Sequence, residues 1–483
     1  MKRFTLSFAL LFVCSCGNSG PKTQAPADKH SSRPTSSSKL VTPRWVETYR
    51  DVAERISKAA LQNDKGWQKL SFLTDNIGHR LSGSPSLEKA IKWARAEMET
   101  ENLANVRVQK VMVPNWKRGK ESASLIAPFF RPLRITTLGN SVGTKGTLKA
   151  PVVAVNSFEE LEKIGPKIKG SIVLFTHAMP AYTEEHGSGY GDASKFRVGG
   201  PSAAGKFGAK AVLVRSLTAH SLQTPHTGTL FYPEGAPKVP AAAVTIEDSD
   251  FIERLLISGK DVRVSLNLGA KMRPDAESGN VIGELIGSEA PEEIVLLGAH
   301  LDSWDLGQGA HDDGTGCIIM FEALALLNRL GLRPKRTIRV VLFTNEENGG
   351  RGAKKYAEEL GDQVENHVMA IESDSGGFAP RGFSVQGTQT AINDTKAITS
   401  LLGELGIKNI EEGFSGADIY KLGEKGVPAL GLRVDGSKYF DYHHTSADTL
   451  DKVNPRDLKK NIAAVAILAY VVADMPRRFG KPK

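Results

Sequence analysis

The chain has 483 residues, of which 40% are hydrophobic and 24% charged, a composition that excludes a fibrous or largely disordered protein. This length exceeds one simple core, so two or three structural units are expected. The formal net charge is +8, but Lys and Arg are interspersed with Asp and Glu, which argues against a nucleic-acid partner.

The first sixteen residues have the pattern of an export signal. Lys2 and Arg3 precede an apolar run over residues 4–13, which is too short for a membrane span of about 20 residues. The run ends in Val-Cys-Ser-Cys, which resembles a bacterial lipobox and implies cleavage before Cys16 and lipid attachment to its thiol. We therefore expect export and a lipid anchor in the bacterial envelope (outer membrane or periplasm); soluble secretion and a retained anchor are the alternatives.

Residues 17–43 are rich in Ser, Thr, Pro and Lys, which is typical of a flexible tether. If Cys16 carries lipid, Cys317 is the free cysteine of the mature chain and no internal disulfide can form. Cys317 begins an apolar helix, so we expect a small buried side chain and not a nucleophile.

The globular part begins near Trp45. Ser84 and Pro85 predict a helix start, because Ser caps a helix N-terminus and Pro suits the first turn. Residues 106–113 alternate between apolar and polar side chains, which predicts a strand that stops at Pro114. These elements suit the opening layer of an α/β domain.

The sequence between residues 126 and 273 changes to glycine and short β runs. Strands are predicted at 152–155, 171–175 and 211–214, and a helix at 202–208. Because this block interrupts an α/β pattern, we expect an inserted β-rich domain at 126–273, with segments 44–125 and 274–483 forming the main domain. The alternative is that residues 126–273 form a few surface loops of one large domain.

Strands and helices alternate again from residue 280, which predicts an α/β sheet. The predicted strands are 280–286, 294–299, 337–344, 367–372 and 428–434, and the predicted helices are 315–330, 352–360, 391–405 and 461–473. The last helix is apolar over only about 13 residues, which indicates a buried core helix and not a membrane span.

Side chains of the metal-ligand type cluster in four loops, each of which leaves a predicted strand. In chain order they are His300 and Asp302 with Asp312, then Glu346 and Glu347, then Asp374, then His443 and His444. In an open α/β sheet such loops converge over one crevice. Two imidazoles and three carboxylates suit two zinc ions that share one carboxylate.

These motifs together resemble the co-catalytic zinc exopeptidases of the aminopeptidase Y and glutamate carboxypeptidase type. The phrases HLDSWDLGQGA, GLRPKRT, ESDSG and YVVADM are most similar to the carboxypeptidase Q group of that family, and the resemblance covers residues 45–475. It implies a three-layer α/β zinc-exopeptidase fold with a mixed central sheet. The GAKAVLV and VPAAAV phrases of the 126–273 block resemble the protease-associated insert of some exopeptidases.

Carried over by position, the resemblance assigns the five metal ligands. Asp312 is the implied bridge between two zinc ions. His300 and Asp374 complete the ligands of one ion, and Glu347 and His444 those of the other.

The resemblance also implies roles for residues beside the ligands. Glu346 is the implied general base, which takes a proton from the attacking water and passes it to the leaving amine. Asp302 is expected to accept a hydrogen bond from His300. A cis peptide is implied between Asp312 and Asp313.

His443 and Asp418 are further candidates for the pocket. His443 either lines the pocket or packs beside its neighbour His444. Asp418 either contacts substrate or caps a helix.

We therefore expect a dizinc exopeptidase that hydrolyses dipeptides or short peptides, most similar to a carboxypeptidase. An aminopeptidase on the same scaffold is the nearest alternative, and a binding protein that lost catalysis is a distant one. A homodimer is implied by the resemblance alone.

Overall fold

The computed structural model describes residues 43–481. The predicted signal peptide, the lipid-attachment site at Cys16 and the predicted tether up to residue 42 lie outside the described residues. None of the described helices combines the length and the apolar character that crossing a bilayer requires.

Sixteen strands are found among the described residues: β1 (Ala104–Lys117), β2 (Glu121–Ala127), β3 (Arg131–Leu133), β4 (Ile135–Thr137), β5 (Leu148–Val155), β6 (Ile172–Phe175), β7 (Ala211–Arg215), β8 (Ala241–Val244), β9 (Arg263–Leu268), β10 (Lys271–Leu285), β11 (Ala290–His300), β12 (Arg336–Phe343), β13 (His367–Glu372), β14 (Pro380–Gln386), β15 (Asn409–Glu412) and β16 (Ala429–Val434). The α-helices of the same residues are α1 (Arg44–Glu47), α2 (Arg50–Leu61), α3 (Lys65–Ser71), α4 (Pro85–Thr100), α5 (Phe158–Ile164), α6 (Tyr190–Lys206), α7 (Ile246–Ile257), α8 (Thr315–Arg329), α9 (Arg351–Leu360), α10 (Gln389–Thr399), α11 (Tyr420–Glu424), α12 (Tyr439–Tyr442) and α13 (Pro455–Asp474).

The first sheet is mixed and has eight strands in the order β1-β10-β12-β11-β13-β16-β14-β15. Its centre is parallel, since β11 pairs in parallel with both β12 and β13, and β13 with β16. The strands β1 and β10 pair antiparallel on one side, and β14 pairs antiparallel with β16 on the other. The predicted mixed α/β architecture is confirmed.

Helices cover both faces of this sheet. In β11, Val295 and Leu297 belong to the core shared with α8 and α13, whereas Leu296 belongs to a core shared with α9 and α11. Successive strand residues point to opposite faces, and each buried Val or Leu contributes about 1.5 to 3 kcal/mol. A one-residue slip would exchange the two faces, so burial fixes the register.

A second mixed sheet has eight strands in the order β3-β2-β9-β5-β6-β7-β8-β4. Its strands come from residues 121–268, between strands β1 and β10 of the first sheet. In β7, Leu213 packs in the core that contains Ile252 of α7, and Val212 packs with Phe196 of α6 on the opposite face. The three strands predicted in this block are confirmed as parts of β5, β6 and β7.

The predicted end of the strand at Pro114 is wrong, because β1 continues to Lys117. Its pairing with β10 shifts register between Val113 and Asn115. β1 is an edge strand, and a proline at an irregularity of an edge strand loses no ladder hydrogen bond that the sheet requires.

Two helix predictions were too short. The helix predicted at 202–208 is part of α6, which starts at Tyr190 and contains Pro201. The helix predicted at 461–473 is part of α13, which has 20 residues and starts at Pro455 after the Asn454 cap. The predicted cap at Ser84 is confirmed, because its hydroxyl accepts the Leu87 N–H at 3.2 Å.

Candidate metal centre

The predicted ligands lie at one edge of the first sheet. His300 ends β11, Glu346 and Glu347 follow β12, and Asp374 follows β13. Since β11 is parallel to both neighbours, their carboxyl ends meet at the same edge. His444 follows α12 and reaches the same place.

Asp312 lies between two groups of side chains. One of its carboxylate oxygens is 3.4 Å from His300 Nε2, which is in turn 3.6 Å from Asp374 Oδ1. The other oxygen is 3.2 Å from His444 Nε2, which is 3.0 Å from Glu347 Oε2. The fold therefore brings all five predicted ligands together, in the grouping that the resemblance implies.

The chemistry of these side chains fits metal ions. Asp312 and Glu347 are 4% and 5% exposed, and Asp312 Oδ2 and Glu347 Oε1 accept no hydrogen bond from the described residues. Buried carboxylate oxygens without a donor are costly unless a cation neutralises them. Imidazole nitrogen with carboxylate oxygen is the ligand set that zinc accepts.

The pKa values show how much charge this centre concentrates. Burial alone would lower the pKa of His300, but the contacts with Asp312 and Asp374 raise it well above its usual value. Burial would raise the pKa of Asp312, but the contacts with His300 and His444 hold it well below its usual value. A metal ion competes with such protons, so metal binding here depends on pH.

Glu346 lies beside the centre but outside both ligand groups. Burial raises the pKa of its carboxyl to about 8, with Asp374 and Glu347 adding to the rise and His300 opposing it. Its backbone N–H donates to Asp302 Oδ1 at 3.0 Å. A carboxyl with this pKa exchanges protons near neutral pH.

Asp302 supports the centre differently from the expectation. His300 Nδ1 is 3.0 Å from the main-chain carbonyl of Asp302, whereas the Asp302 carboxylate oxygen is 3.9 Å away. The carboxylate instead accepts the N–H groups of Glu346 and Glu347. Asp302 therefore orients His300 through its backbone and the two glutamates through its side chain.

Two aspartates that sequence reasoning left without a role hold the backbone around Asp312. Asp448 accepts the N–H groups of His311 and Asp312 at 2.7 and 3.1 Å. Asp313 accepts the His300 N–H at 3.1 Å. The peptide between Asp312 and Asp313 is cis, as the resemblance implies. The sequence signal that could have found Asp448 is the His-Thr-x-x-Asp-Thr pattern of residues 444–449.

His443 lines the centre as well as packing beside its neighbour. Its ring stacks on His444 with centroids 3.5 Å apart, and its Nε2 is 3.7 Å from Asp312 Oδ2. Burial and the neighbouring His444 lower its pKa well below the usual value. Ligand atoms of Asp312, His443 and His444 lie within 4.8 Å of one another.

Asp418 is buried at 3% exposure, and neither carboxylate oxygen has a hydrogen-bond partner among the described residues. The alternative of a helix cap is wrong, because α11 starts after Ile419 without any side-chain cap. The N–H groups of Asp418 and Ile419 donate to the carboxylate of Glu372. Burial and the nearby Glu372 and Glu346 raise the Asp418 pKa well above its usual value.

Arg197, which sequence reasoning missed, lies close to the centre. It belongs to α6 of the second sheet and is 6% exposed. Its guanidinium donates to Tyr190 Oη and to the carbonyls of Thr227 and Thr229, and it pairs with no carboxylate among the described residues. No motif in the sequence marks it, because it lies far along the chain from the ligands.

A cleft of about 530 Å³ opens beside Asp374. One wall is the 182–188 loop of the second-sheet block, and the opposite wall includes Phe414, which is 65% exposed. Tyr439 also lines it and donates its hydroxyl to Asp374 Oδ1 at 3.3 Å. The cleft therefore reaches one of the predicted ligands, Asp374.

Comparison with known proteins places these residues in a family. The model of peptidase family M28 matches residues 280–469. Mouse carboxypeptidase Q is 40% identical over 89% of this chain and 91% of its own length. The structure of a peptidase M28 precursor from Shewanella amazonensis is 36% identical, with a TM-score of 0.86 over 91% of this chain and all of the other. The zinc aminopeptidase of Bacillus subtilis shares the fold, with a TM-score of 0.62 at 19% identity over 88% of this chain and 97% of the other.

Proposed function

The chain belongs to peptidase family M28 and is a metallopeptidase, and from this premise we propose that it is a dizinc carboxypeptidase acting on dipeptides or short peptides. The observation that carries the proposal is the convergence of five zinc-type ligands, in which Asp312 lies between His300 with Asp374 and His444 with Glu347 and Glu346 lies beside them. The similarity to carboxypeptidase Q over most of both chains supports the same activity.

In the proposed site Asp312 would be a ligand of both zinc ions. His300 and Asp374 would hold one ion, and Glu347 and His444 would hold the other. Bound zinc supplies Lewis-acid activation of water and of the scissile carbonyl.

The protein's own part in the reaction is proton transfer and orientation. Glu346 takes the proton of the attacking water and delivers it to the leaving amine. Asp302 holds the backbone of Glu346 and of Glu347, so the base and a ligand keep a fixed relation. This preorganised geometry lowers the cost of reaching the transition state.

Arg197 supports carboxypeptidase polarity. A buried guanidinium without a carboxylate partner is costly, and the ligand that satisfies it best is a bidentate carboxylate. A Cβ atom placed on Gly228 would overlap Arg197 Nη1 and lie 2.8 Å from His444 Nδ1, so the guanidinium and this metal ligand flank a single glycine. We assign Arg197 to the carboxyl terminus of the substrate.

The cleft beside Asp374 then receives the amino-terminal part of the substrate. Its lining includes Asp374, which contacts His300, but neither Arg197 nor His444. With the carboxyl terminus of the substrate at Arg197, this arrangement suits substrates that have a single residue on the carboxyl-terminal side of the scissile bond.

We further propose that residues 126–273 form an inserted protease-associated-like domain, which interrupts a catalytic domain of residues 44–125 and 274–483. We also propose export with lipid attachment at Cys16, and a homodimer. Cys16→Ser should release the protein from the membrane fraction of a bacterial host; retention of this variant in the membrane would contradict the anchor.

A panel of end-blocked dipeptides, assayed with and without a chelator, tests the function. Amino-terminally blocked dipeptides should be cleaved and carboxyl-terminally amidated ones should not, and the chelator should abolish cleavage. Cleavage of amidated dipeptides alone would identify an aminopeptidase. A zinc-loaded chain that cleaves neither would revive the binding-protein alternative.

Arg197→Gln tests the polarity at one residue. Loss of a charge-assisted hydrogen bond should lower kcat/KM for free-carboxyl dipeptides by about 10- to 100-fold, mainly through KM, and Arg197→Lys should fall between. Arg215→Gln is the matched control, because Arg215 ends β7, the strand that follows α6, and already pairs with Asp250. Equal losses in Arg197→Gln and Arg215→Gln would contradict the assignment.

A further inference from the structure

The segment of residues 216–229, which is the first part of the connection from β7 to β8, lies against the loop that carries His444. The Thr227 N–H donates to the His444 carbonyl at 2.9 Å. His226 is 1% exposed, and its Nε2 lies 2.9 Å from the Phe440 carbonyl. The backbone on both sides of the His443–His444 pair is therefore fixed by residues of the second sheet.

The start of the same segment contacts this loop through side chains. Thr218 Oγ1 donates to Asp441 Oδ1 at 3.3 Å, and His220 Nδ1 is 2.6 Å from the same oxygen. Asp441 lies three residues before His444. The 216–229 segment thus contacts the ligand loop at Phe440, Asp441 and His444.

His444 needs such support, because its backbone has φ +60°. A residue other than glycine adopts this left-handed conformation only where its surroundings impose it. The hydrogen bond from Thr227 to the His444 carbonyl is one such constraint, and it acts on the peptide that sets the direction of the imidazole.

Gly228 brings the segment into contact with the His444 ring itself. Its φ is +128°, and an added Cβ would overlap Arg197 Nη1 and lie 2.8 Å from His444 Nδ1. The guanidinium and the imidazole both occupy the space that a side chain on Gly228 would take. The spacing between the two groups is therefore set by this residue.

We propose that the 216–229 segment is a positioning element for the zinc ion that Glu347 and His444 hold, and that Gly228 sets the distance from that ion's ligand to the carboxylate-binding Arg197. This inference rests on the proposed function. According to this proposal, the zinc site of Glu347 and His444 depends on the 216–229 segment of the second-sheet block. The zinc site of His300 and Asp374 does not depend on that segment, because its residues follow strands of the first sheet.

Zinc affinity measured by competition with a chelator tests the proposal on the full chain. Gly228→Ala should weaken one of two zinc sites by about 10- to 100-fold, the usual cost of disturbing a partner of a metal ligand, and leave the other unchanged. Gly235→Ala is the matched control, since Gly235 also has positive φ, at +76°, but no atom within 4 Å of an added Cβ. The control should bind both ions as the unmodified chain does.

His226 supplies a second, independent variant in case Gly228→Ala does not fold. His226→Ala should weaken the same single site, and His226→Gln, which retains a donor for the Phe440 carbonyl, should restore part of the affinity. Unchanged zinc affinity in Gly228→Ala would overturn the proposal. If Gly228→Ala does not fold, unchanged zinc affinity in His226→Ala would overturn it instead. Equal weakening of both sites, or equal weakening in Gly235→Ala, would overturn it too.

The same titration separates this proposal from the proposed function. An unmodified chain that binds no zinc would end both. An unmodified chain that binds two zinc ions, cleaves no peptide and loses one ion in Gly228→Ala would end the proposed function and leave the positioning role standing.

Discussion

The surroundings of each carboxyl group in the centre set its pKa and thereby suit it to a different role. Burial acts on Asp312, Glu347 and Glu346 alike and raises each pKa. Two imidazoles reverse this effect for Asp312, whereas Glu346 keeps a pKa of about 8. The carboxylate between the imidazoles is suited to hold cations, and the one outside both groups is suited to carry a proton.

Glu346→Gln should therefore separate catalysis from metal binding. Removal of the proton carrier should lower kcat by at least about 100-fold, while the zinc content should not change because none of the proposed ligands is lost. Steady-state kinetics with metal analysis measures the two effects. Glu359→Gln, which alters an exposed glutamate on α9, is the control. Near-normal turnover, or loss of zinc, in Glu346→Gln would show that Glu346 is not the base.

At the scale of elements, local sequence signals predicted the start of a helix correctly where residues of the helix itself determine that start. The Ser84 hydroxyl caps α4 as its sequence predicts, and Leu87 and Met98 then face the core. The predicted end of β1 at Pro114 was wrong because pairing with the neighbouring strand β10 continues past the proline. The edge strand accommodates Pro114 through a shift in register. Strand β14 and helix α7 were not predicted at all.

Ser84→Ala tests the cap. The Leu87 N–H would lose its acceptor, so the free energy of unfolding should fall by about 1 kcal/mol. Chemical denaturation of the metal-free chain gives this value. Ser84→Thr keeps the hydroxyl and should recover most of the loss; a Thr variant as unstable as the Ala variant would mean that packing, and not the cap, is responsible.

At the scale of the whole molecule, a buried ionic network ties together helices that cover the first sheet. Glu101, which follows α4, accepts hydrogen bonds from Lys69 of α3 at 2.9 Å and from Arg329 of α8 at 2.7 Å. Lys69 also contacts Glu322 of α8 at 2.9 Å. The ionic network thereby holds α3 and α4 against α8, which is distant from them in sequence.

This network predicts a pH dependence of stability. Burial raises the pKa of Glu101, but the hydrogen bonds from Arg329 and Lys69 outweigh burial and lower it to about 2. Because the folded pKa lies below the ordinary value of 4.5, the stabilisation is present above pH 4.5 and is lost as the pH falls towards 2.

Glu101→Gln should destabilise the metal-free chain by about 2 kcal/mol at neutral pH, because Lys69 and Arg329 each lose a charged partner and keep only Glu322. Denaturant unfolding should show this difference shrinking as the pH falls below 4.5. Glu99→Gln, an exposed neighbour paired with Arg95, should show no such trend. A difference that is constant with pH would contradict the assignment of the effect to the Glu101 charge.

The sequence by itself determined the alternating strands and helices of the first sheet and the ligand types at its strand ends. Both follow from periodicity and from chemistry within a few neighbouring residues, as Val295 to Leu297 and the His300-x-Asp302 motif show. The sequence also determined the family, because these motifs occur along the chain in the order that the family has.

Only the tertiary structure decided what lies around those ligands. It brought Arg197 and Gly228 of the second sheet against His444 of the first, and it directed the His300 hydrogen bond to the Asp302 carbonyl. Such contacts join residues that are far apart in sequence or depend on small shifts in backbone direction. They are set by how two separately patterned sheets pack together, and no local period in the sequence encodes that packing.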